Sequence, residues 1–446
     1  MTTKNWRSAF AIYLQPAVLS IVLLGFASGL PYVIVFSTLS AWLTEAGIER
    51  SVIGFFSWIG MTYSIKVFWS MIVDRLSLPL LHRLLGKRRS WMLLAQLGAT
   101  LGLLGMSVSD PQTQLEQIAL LAIWIAFCSA TQDVAIDAYR IEVLSAEYQG
   151  AMAAAYVAGY RVSLLIGAAG CLYIAEYTNW STAYLIMAAT MLVGITTILV
   201  IKEPDHQISQ SAEALENKIE RFLGVEQHAT FWHRLVAGFS DVVLSPFIEF
   251  FHRNGTTGLL ILLLIGMYKM SDITLNVMAN PFYLDMGFTK VEIAQVTKVF
   301  GFVMAISGAA TGGVLVARFG VLRPLLLGAV AAALTNLLFA MLAMSKPSLI
   351  GLATIVSADN FCAGMATSAL IAYLSSLTST AYTATQYALF SSLMTLPAQM
   401  VGGFSGVVVE NYGYSLFFIY TTVAGLPAMV LVLLLMRSSL YRENSH

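Results

Sequence analysis

Long apolar runs separated by short polar segments follow one another along the whole 446-residue chain. Twelve runs are present, at residues 17–42, 51–73, 91–109, 117–143, 151–176, 180–201, 257–283, 291–316, 323–344, 349–375, 384–408 and 414–437. A helix that crosses a bilayer needs about 20 apolar residues, whereas a barrel strand alternates over about ten. The pattern therefore predicts an all-α membrane protein with twelve transmembrane helices, the first run being too long for a signal-peptide core.

The composition supports this interpretation. Hydrophobic residue types make up 58% of the chain and charged types only 11%, whereas soluble domains are about 25% charged. This excludes a disordered protein, a secreted disulfide scaffold and a nucleic-acid binder, and it argues against a cytosolic enzyme. The three cysteines all lie in apolar runs, where we expect packed side chains without a disulfide or a metal.

Lysine and arginine predict the orientation of the chain in the membrane. If the N-terminus is cytoplasmic, sixteen of these residues fall on inner segments and only Arg50, Lys290 and Lys346 on outer loops. Cytoplasmic loops carry the excess of basic residues. We therefore expect both termini in the cytoplasm.

The longest polar segment divides the chain into two halves, with boundaries at 1–201, 202–256 and 257–446. Within 202–256, apolar residues between Trp232 and Phe250 share one helical face, which predicts an interfacial amphipathic helix or a strap between the halves. Two residue pairs of the fourth run, and a tyrosine just after it, recur 234 positions later, in and just after the tenth: Phe127-Cys128, Ala138-Tyr139 and Tyr148 become Phe361-Cys362, Ala372-Tyr373 and Tyr382. Two homologous six-helix halves are the layout of major-facilitator transporters, which bind their substrate between the halves.

Nine ionisable residues lie inside the predicted spans: Lys66, Asp133, Asp137, Arg140, Arg161, Lys269, Asp272, Lys298 and Asp359. Such residues are costly in a membrane and are functional candidates by default. A structural ion pair is an equally good interpretation of any single one, and Arg140 could snorkel to the interface. The whole set is better explained by a hydrated cavity. Asp133 and Arg161 lie at similar depth and could pair, as could Lys269 with Asp272 at i,i+3.

A buried carboxylate that changes its access to water or its distance from a cation can take up a proton on one side and release it on the other. Asp133 is the first candidate for such proton coupling, and Asp137, Asp272 and Asp359 are the others. We expect no cofactor other than the proton as coupling ion, and no metal. All six histidines lie outside the spans, and no catalytic motif is visible. A membrane enzyme is therefore the weaker alternative.

Glycine pairs at four-residue spacing predict close helix packing. They are Gly25/Gly29, Gly308/Gly312 and Gly402/Gly406.

Short motifs that are spread along the whole chain point to a specific protein family. They are Ser28-Gly29-Leu30-Pro31, Lys66 with Trp69, Asp74-Arg75, Arg88-Arg89-Ser90-Trp91, Ala130-Thr131-Gln132-Asp133-Val134-Ala135-Ile136-Asp137-Ala138-Tyr139, Gly159-Tyr160-Arg161, Tyr268-Lys269 with Asp272, and Ala384-Thr385-Gln386-Tyr387-Ala388-Leu389. In this set the chain resembles the AmpG-type muropeptide permeases of the major facilitator superfamily. It departs from their pattern at Asp359-Asn360, where the family has Glu-Asn.

The resemblance implies a permease of the bacterial inner membrane that imports anhydro-muropeptides, which are amino sugars bearing a short peptide, for cell-wall recycling. Relatives that carry siderophores or acyl-CoA leave another bulky anion as the alternative substrate. A monomer is expected, with the lipid bilayer and the muropeptide as its partners and no nucleic acid.

A sugar–peptide substrate calls for three kinds of side chain. The candidates are the amides of Gln132, Asn360 and Gln386, the cations of Lys66, Arg161 and Lys269, and the aromatic rings of Tyr139, Tyr160 and Tyr268. At the inner end of the first half, the turn between the second and third runs suggests a charged gating latch of Asp74, Arg75, Arg88 and Arg89, because the superfamily uses this loop in that way.

Overall fold

The computed structural model describes residues 12–48, 56–78, 80–204, 248–379, 382–402 and 404–443. This part of the chain contains helices and turns and no strand. Ten of its helical segments are long and apolar enough to cross a membrane. The twelve-helix count stays a prediction, and two further helical segments lie where the second and eleventh spans are expected.

In the first half, the segments are α1 (Pro16–Val33, a π-turn Ile34–Thr38, and Leu39–Glu45), α2 (Met61–Ile65 and Val67–Arg75), α3 (Lys87–Ser107), α4 (Leu115–Val143), α5 (Gln149–Leu165, a π-turn Ile166–Gly170, and Cys171–Tyr177) and α6 (Trp180–Thr190 and Leu192–Val200). A short helix, Ile12–Leu14, precedes α1, and three others, Ser57–Gly60, Leu81–Leu85 and Ala146–Tyr148, lie between the longer helices.

In the second half, the segments are α7 (Thr257–Tyr268 and Met270–Asp285), α8 (Lys290–Gln295, a π-turn Val296–Phe300, and Gly301–Phe319), α9 (Leu322–Ala343), α10 (Leu349–Leu377) and α11 (Thr383–Gly402). A last helical run, Ser405–Glu443, is interrupted at Gly413, whose φ of 75° favours glycine. The part after Gly413 is α12. Residues 248–254, at the end of the linker between the halves, are also helical.

The helix bounds follow the repeat that the sequence predicts. Both α4 and α10 are 29 residues long, and Leu349 begins α10 234 positions after Leu115 begins α4. The next helices, at Gln149 and Thr383, begin at the same offset. The two halves therefore share a register over this stretch.

Two of the three predicted glycine pairs lie at close helix contacts. A Cβ atom added at Gly25 would lie 2.4 Å from the carbonyl oxygen of Tyr156, and one at Gly308 would lie 2.0 Å from that of Phe361. These glycines let α1 approach α5 and α8 approach α10. The third pair is only half confirmed: a Cβ atom added at Gly402 would lie 3.2 Å from the Val277 side chain, which is a tight contact, whereas one at Gly406 would lie 3.9 Å from that of Met278.

The two halves meet at one end of the molecule. We call it the linker end, because α6 ends there before the linker and the linker leads there into α7; the opposite end is the far end. The Tyr13 hydroxyl donates to the carbonyl of Ala310 at 2.8 Å, and Arg140 donates to the Ser375 hydroxyl at 2.8 Å. A small apolar cluster also joins the halves, formed by Ala153, Ala154, Val157, Ala309 and Ile371.

Candidate functional site

A cavity of about 150 Å³ lies between the halves, further along α5 than these contacts. Arg161 lines it from the first half, and Thr297, Gly301, Phe302 and Asn360 line it from the second. Arg161 is twelve residues, or about 18 Å, from the linker-end start of α5. The halves are thus closed at the linker end, and the space between them lies towards the far end.

Arg161 has no ion pair or hydrogen bond to another described residue. Its neighbour in the cavity, Asn360, donates from Nδ2 to the carbonyl of Val356 at 2.9 Å. The pair expected between Arg161 and Asp133 is not formed, because the carboxylate faces α1 instead. A guanidinium without a carboxylate partner in a cavity is suited to an anionic ligand.

Asp133 ends a chain of hydroxyl groups. The Ser28 hydroxyl donates to its carboxylate at 2.6 Å and lies 2.7 Å from the Tyr156 hydroxyl, from which it can accept a hydrogen bond. The preceding residue, Gln132, is fully buried, and neither atom of its amide has a partner in the described part of the chain. Lys66 is buried as well, in the turn that breaks α2, and none of the described side chains pairs with it.

Aromatic rings surround this polar group. Tyr32 lies 5.4 Å from Tyr63 and 6.3 Å from Tyr160, measured between ring centroids, and Phe36 lies 4.8 Å from Tyr32. The rings come from α1, α2 and α5. Only Tyr160 was a sequence candidate. The i,i+4 spacing of Tyr32 and Phe36 just after Ser28 is the signal that could have indicated the other rings.

In the second half, the predicted pair of Lys269 and Asp272 is formed at 2.6 Å. Lys269 lies at the break in α7 and also donates to the Thr367 hydroxyl at 2.8 Å. Asp359 accepts a hydrogen bond from Thr335 at 3.2 Å and shares with Asp272 a cavity of about 20 Å³, enough for one water molecule. The side chain of Lys298 lies outside the described residues.

At the linker end, Asp74 connects the two halves. Its carboxylate accepts hydrogen bonds from the backbone N–H groups of Ala384 and Thr385, at 3.1 and 2.7 Å, and from the Thr385 hydroxyl at 2.7 Å. It thereby caps the start of α11, where an anion is favoured by the helix dipole. Arg88 is fully buried and pairs with Asp74 at 2.8 Å and with Glu142 at 2.6 Å.

The latch is present, but only some of its members are the residues that the sequence predicted. Asp74 and Arg88 belong to it, and Glu142 and Thr385 are members that the sequence did not suggest. Arg89 does not belong to it, because its guanidinium donates to the carbonyls of Ile198 and Leu199 at 2.8 Å, at the end of α6. The side chain of Arg75 lies outside the described residues.

Three expected substrate ligands have structural partners instead. Gln386 donates to Glu249 at 2.6 Å and accepts from the backbone of Ser379 at 2.8 Å. Tyr139 donates to the carbonyl of Lys202 at 3.1 Å. Both lie at the linker end, away from the cavity. Tyr268 donates to the carbonyl of Leu325 at 2.8 Å, so its hydroxyl is used within the second half.

Asp137 and Arg140 form an ion pair at 3.4 Å. Arg140 is fully buried and lies over the Tyr387 ring, 5.1 Å from the ring centroid. It therefore does not snorkel to the interface but packs between the halves.

Residues 205–247, which include most of the interfacial helix predicted between Trp232 and Phe250, lie outside the described part. Phe250, at the end of the predicted helix, is among the described residues, and its ring packs on that of Phe390 at 5.3 Å between centroids. Among the described residues, no group of three or more His, Cys, Asp or Glu side chains could hold a metal ion.

The family model of the Major Facilitator Superfamily matches residues 21–403. The chain is 35% identical to "Putative transporter AmpG 4" of Rickettsia conorii over 417 residues, covering 93% of this chain and 95% of that protein. It is 34% identical to "Anhydromuropeptide permease" of Escherichia coli strain K12 over 424 residues, covering 95% of this chain and 80% of that protein. The structure of the proton:xylose symporter XylE superposes with a TM-score of 0.64 at 13% identity, covering 96% of this chain and 95% of that one.

These matches run through both halves, so they establish the fold and the class of protein together. The chain is a multi-pass membrane transporter and not an enzyme, and the enzyme alternative is wrong. The chain belongs to the Major Facilitator Superfamily and, within it, to the AmpG-type permeases.

Proposed function

We propose that this protein imports anhydro-muropeptides across the bacterial inner membrane, from the periplasm to the cytoplasm, by proton-coupled alternating access. The observation that carries the proposal is the cavity between the halves, lined by the unpaired Arg161 and the Asn360 amide, together with the aromatic group of Tyr32, Tyr63 and Tyr160 in the first half. An anionic sugar–peptide needs these three chemistries together. The names of the relatives from E. coli and Rickettsia support the substrate class.

The orientation of the cavity fits uptake. Sixteen basic residues on the linker-end segments against three on the others favour a cytoplasmic linker end and cytoplasmic termini. The latch at Asp74 then closes the cytoplasmic side, and the cavity lies on the periplasmic side. This is the state in which an importer loads its substrate.

Proton coupling is assigned to Asp133. Its carboxylate has a hydroxyl donor, Ser28, and no ion-pair partner among the described residues, so rearrangement of α1 against α4 would change how well its charge is stabilised. Asp272 is less suited, because Lys269 lies 2.6 Å away and compensates its charge. The proposed unit is a monomer of two halves, 1–201 and 257–446, that needs no cofactor besides the proton.

Uptake of labelled muropeptide into proteoliposomes tests the proposal. We expect accumulation when the outside is acidic relative to the lumen, and only slow equilibration without a gradient. A siderophore and an acyl-CoA serve as competitor substrates. If either is accumulated and the muropeptide is not, the substrate assignment is wrong.

A further inference from the structure

We infer that the binding site is divided into two subsites, in which Tyr32, Tyr63 and Tyr160 receive the amino-sugar rings and Arg161 with Asn360 receives a carboxylate of the peptide. This inference rests on the proposed function and adds how the substrate is oriented.

The three tyrosines form one aromatic wall. The ring centroid of Tyr32 lies 5.4 Å from that of Tyr63 and 6.3 Å from that of Tyr160. Tyr32 exposes 39% of its surface. Because they come from α1, α2 and α5, three packed helices hold the wall, which is presented at little cost in conformational entropy. A tyrosine ring offers an apolar face and a polar edge, and this suits the apolar face and hydroxyl rim of a sugar.

Polar groups behind the wall lack partners. The amide of Gln132 is buried without a hydrogen bond to any described residue, and the buried Tyr63 and Ser129 hydroxyls have no described partner other than each other. A buried polar group without a hydrogen-bond partner is destabilising. A ligand bearing hydroxyl and acetamido groups can satisfy such donors and acceptors, whereas an aliphatic ligand cannot.

The placement of the cations decides where the carboxylate binds. In the membrane-embedded part that the structure describes, Lys269 is paired with Asp272 and Arg140 with Asp137. Lys66 and Arg161 have no such partner among the described residues. Lys66 is buried in the break of α2 and is not among the residues that line the cavity, whereas Arg161 lines it with Asn360. A guanidinium can bind a carboxylate through two parallel hydrogen bonds. Tyr160 and Arg161 are consecutive residues of α5, so each subsite takes one side chain from the same turn of this helix.

The test compares two ligands on the purified full-length protein by calorimetry. One is the N-acetylglucosaminyl-anhydro-muramyl tripeptide; the other is the same molecule with its peptide carboxylates converted to amides. Replacing Arg161→Gln should weaken binding of the acid by about tenfold or more and that of the amide by less than about twofold, because only the acid loses a charged hydrogen bond.

Replacing Tyr32→Leu should weaken binding of both ligands by the same factor, about threefold to tenfold, because the sugars are unchanged. Tyr173→Leu is the matched control. Tyr173 is a tyrosine of α5 that exposes 67% of its surface and contacts the tilted ring of Tyr177 at 4.6 Å between centroids, so its loss should leave both affinities unchanged.

Equal weakening of acid and amide by Arg161→Gln would overturn the carboxylate subsite, and an effect of Tyr32→Leu on one ligand alone would overturn the sugar subsite. If Arg161→Gln does not fold, Arg161→Lys replaces it. That variant keeps the charge without the planar fork and should still weaken the acid selectively, and equal loss for both ligands overturns the inference here too. If the wild type binds neither ligand, the proposed function fails instead.

Discussion

Within the membrane, the neighbours of each carboxylate determine what it can do. Asp137 and Asp272 have cations of their own helices as partners, at 3.4 and 2.6 Å. Asp133 has instead the hydroxyl of Ser28, from another helix. The first two are therefore compensated in any arrangement of the helices, whereas the environment of Asp133 depends on how α1 packs against α4.

Replacing Asp133→Asn should abolish proton-driven uptake while leaving muropeptide binding measurable. The amide keeps a hydrogen-bonding side chain at this position but cannot titrate. The measurements are gradient-driven uptake in proteoliposomes and equilibrium binding in detergent, with Asp359→Asn as the matched variant in the second half. Normal uptake by Asp133→Asn combined with loss in Asp359→Asn would move the coupling to the second half.

The charged residues could be predicted one by one from the sequence, because a charge in a long apolar run is conspicuous. Their partners could not. Ser28 is 105 positions from Asp133, and Glu142 is 54 positions from Arg88. Gln386 and Tyr139 were expected in the binding site because of their residue types, yet both lie at the linker end. The residue type alone does not tell how deep a side chain lies in the membrane or to which side of its helix it points.

At the scale of elements, long helices were predicted closely and their interruptions were not. The run 349–375 corresponds to Leu349–Leu377, and the run 117–143 to Leu115–Val143. The breaks at Lys66 and Lys269 and the π-turns in α1, α5 and α8 were missed. A break of a single residue barely changes the apolar pattern, although it turns side chains to a different face. π-turns are frequent at functional sites.

Close packing of α8 on α10 should make Gly308→Ala destabilising, by about 1–3 kcal/mol. The added methyl group would meet the Phe361 carbonyl, which is backbone and cannot rotate away. Thermal unfolding of the purified protein measures the effect. Gly406→Ala is the control, because its nearest neighbour would lie at 3.9 Å and its unfolding temperature should stay near that of the wild type. Equal changes in the two variants would contradict the packing argument.

Because Asp74 joins α2 to the start of α11, we expect its replacement to impair gating. Asp74→Asn weakens both the cap on α11 and the pair with Arg88, so the closed linker end loses stabilisation. We expect slower transport with normal membrane insertion.

Arg89→Gln is the comparison for this variant. Arg89 holds the end of α6 and touches no residue of the second half among its described hydrogen bonds. Transport per folded molecule should therefore be preserved in Arg89→Gln. Unchanged uptake rates in Asp74→Asn would exclude a latch at this residue.

For the whole molecule, the sequence predicts two halves, and the structure adds the conformation in which these halves are closed at the linker end. The repeat at an offset of 234 residues and the polar segment 202–256 indicate the division. No pattern in the sequence indicates that Asp74 reaches Thr385, 311 positions away, because an alternating-access protein makes and breaks such contacts. The closed linker end is thus a property of one conformation, whereas the fold is a property of the sequence.

The side of the membrane to which the cavity opens depends on which end faces the cytoplasm, and labelling tests this directly. We expect Ser211→Cys, in the segment between the halves, to resist a membrane-impermeant thiol reagent in intact spheroplasts and to react after permeabilisation. The reason is the excess of basic residues on linker-end segments, sixteen against three. A cysteine at Lys346, on a predicted outer loop, is the control and should react in intact cells. Labelling of the cysteine at position 211 from outside would invert the topology and place the latch on the periplasmic side and the cavity on the cytoplasmic side.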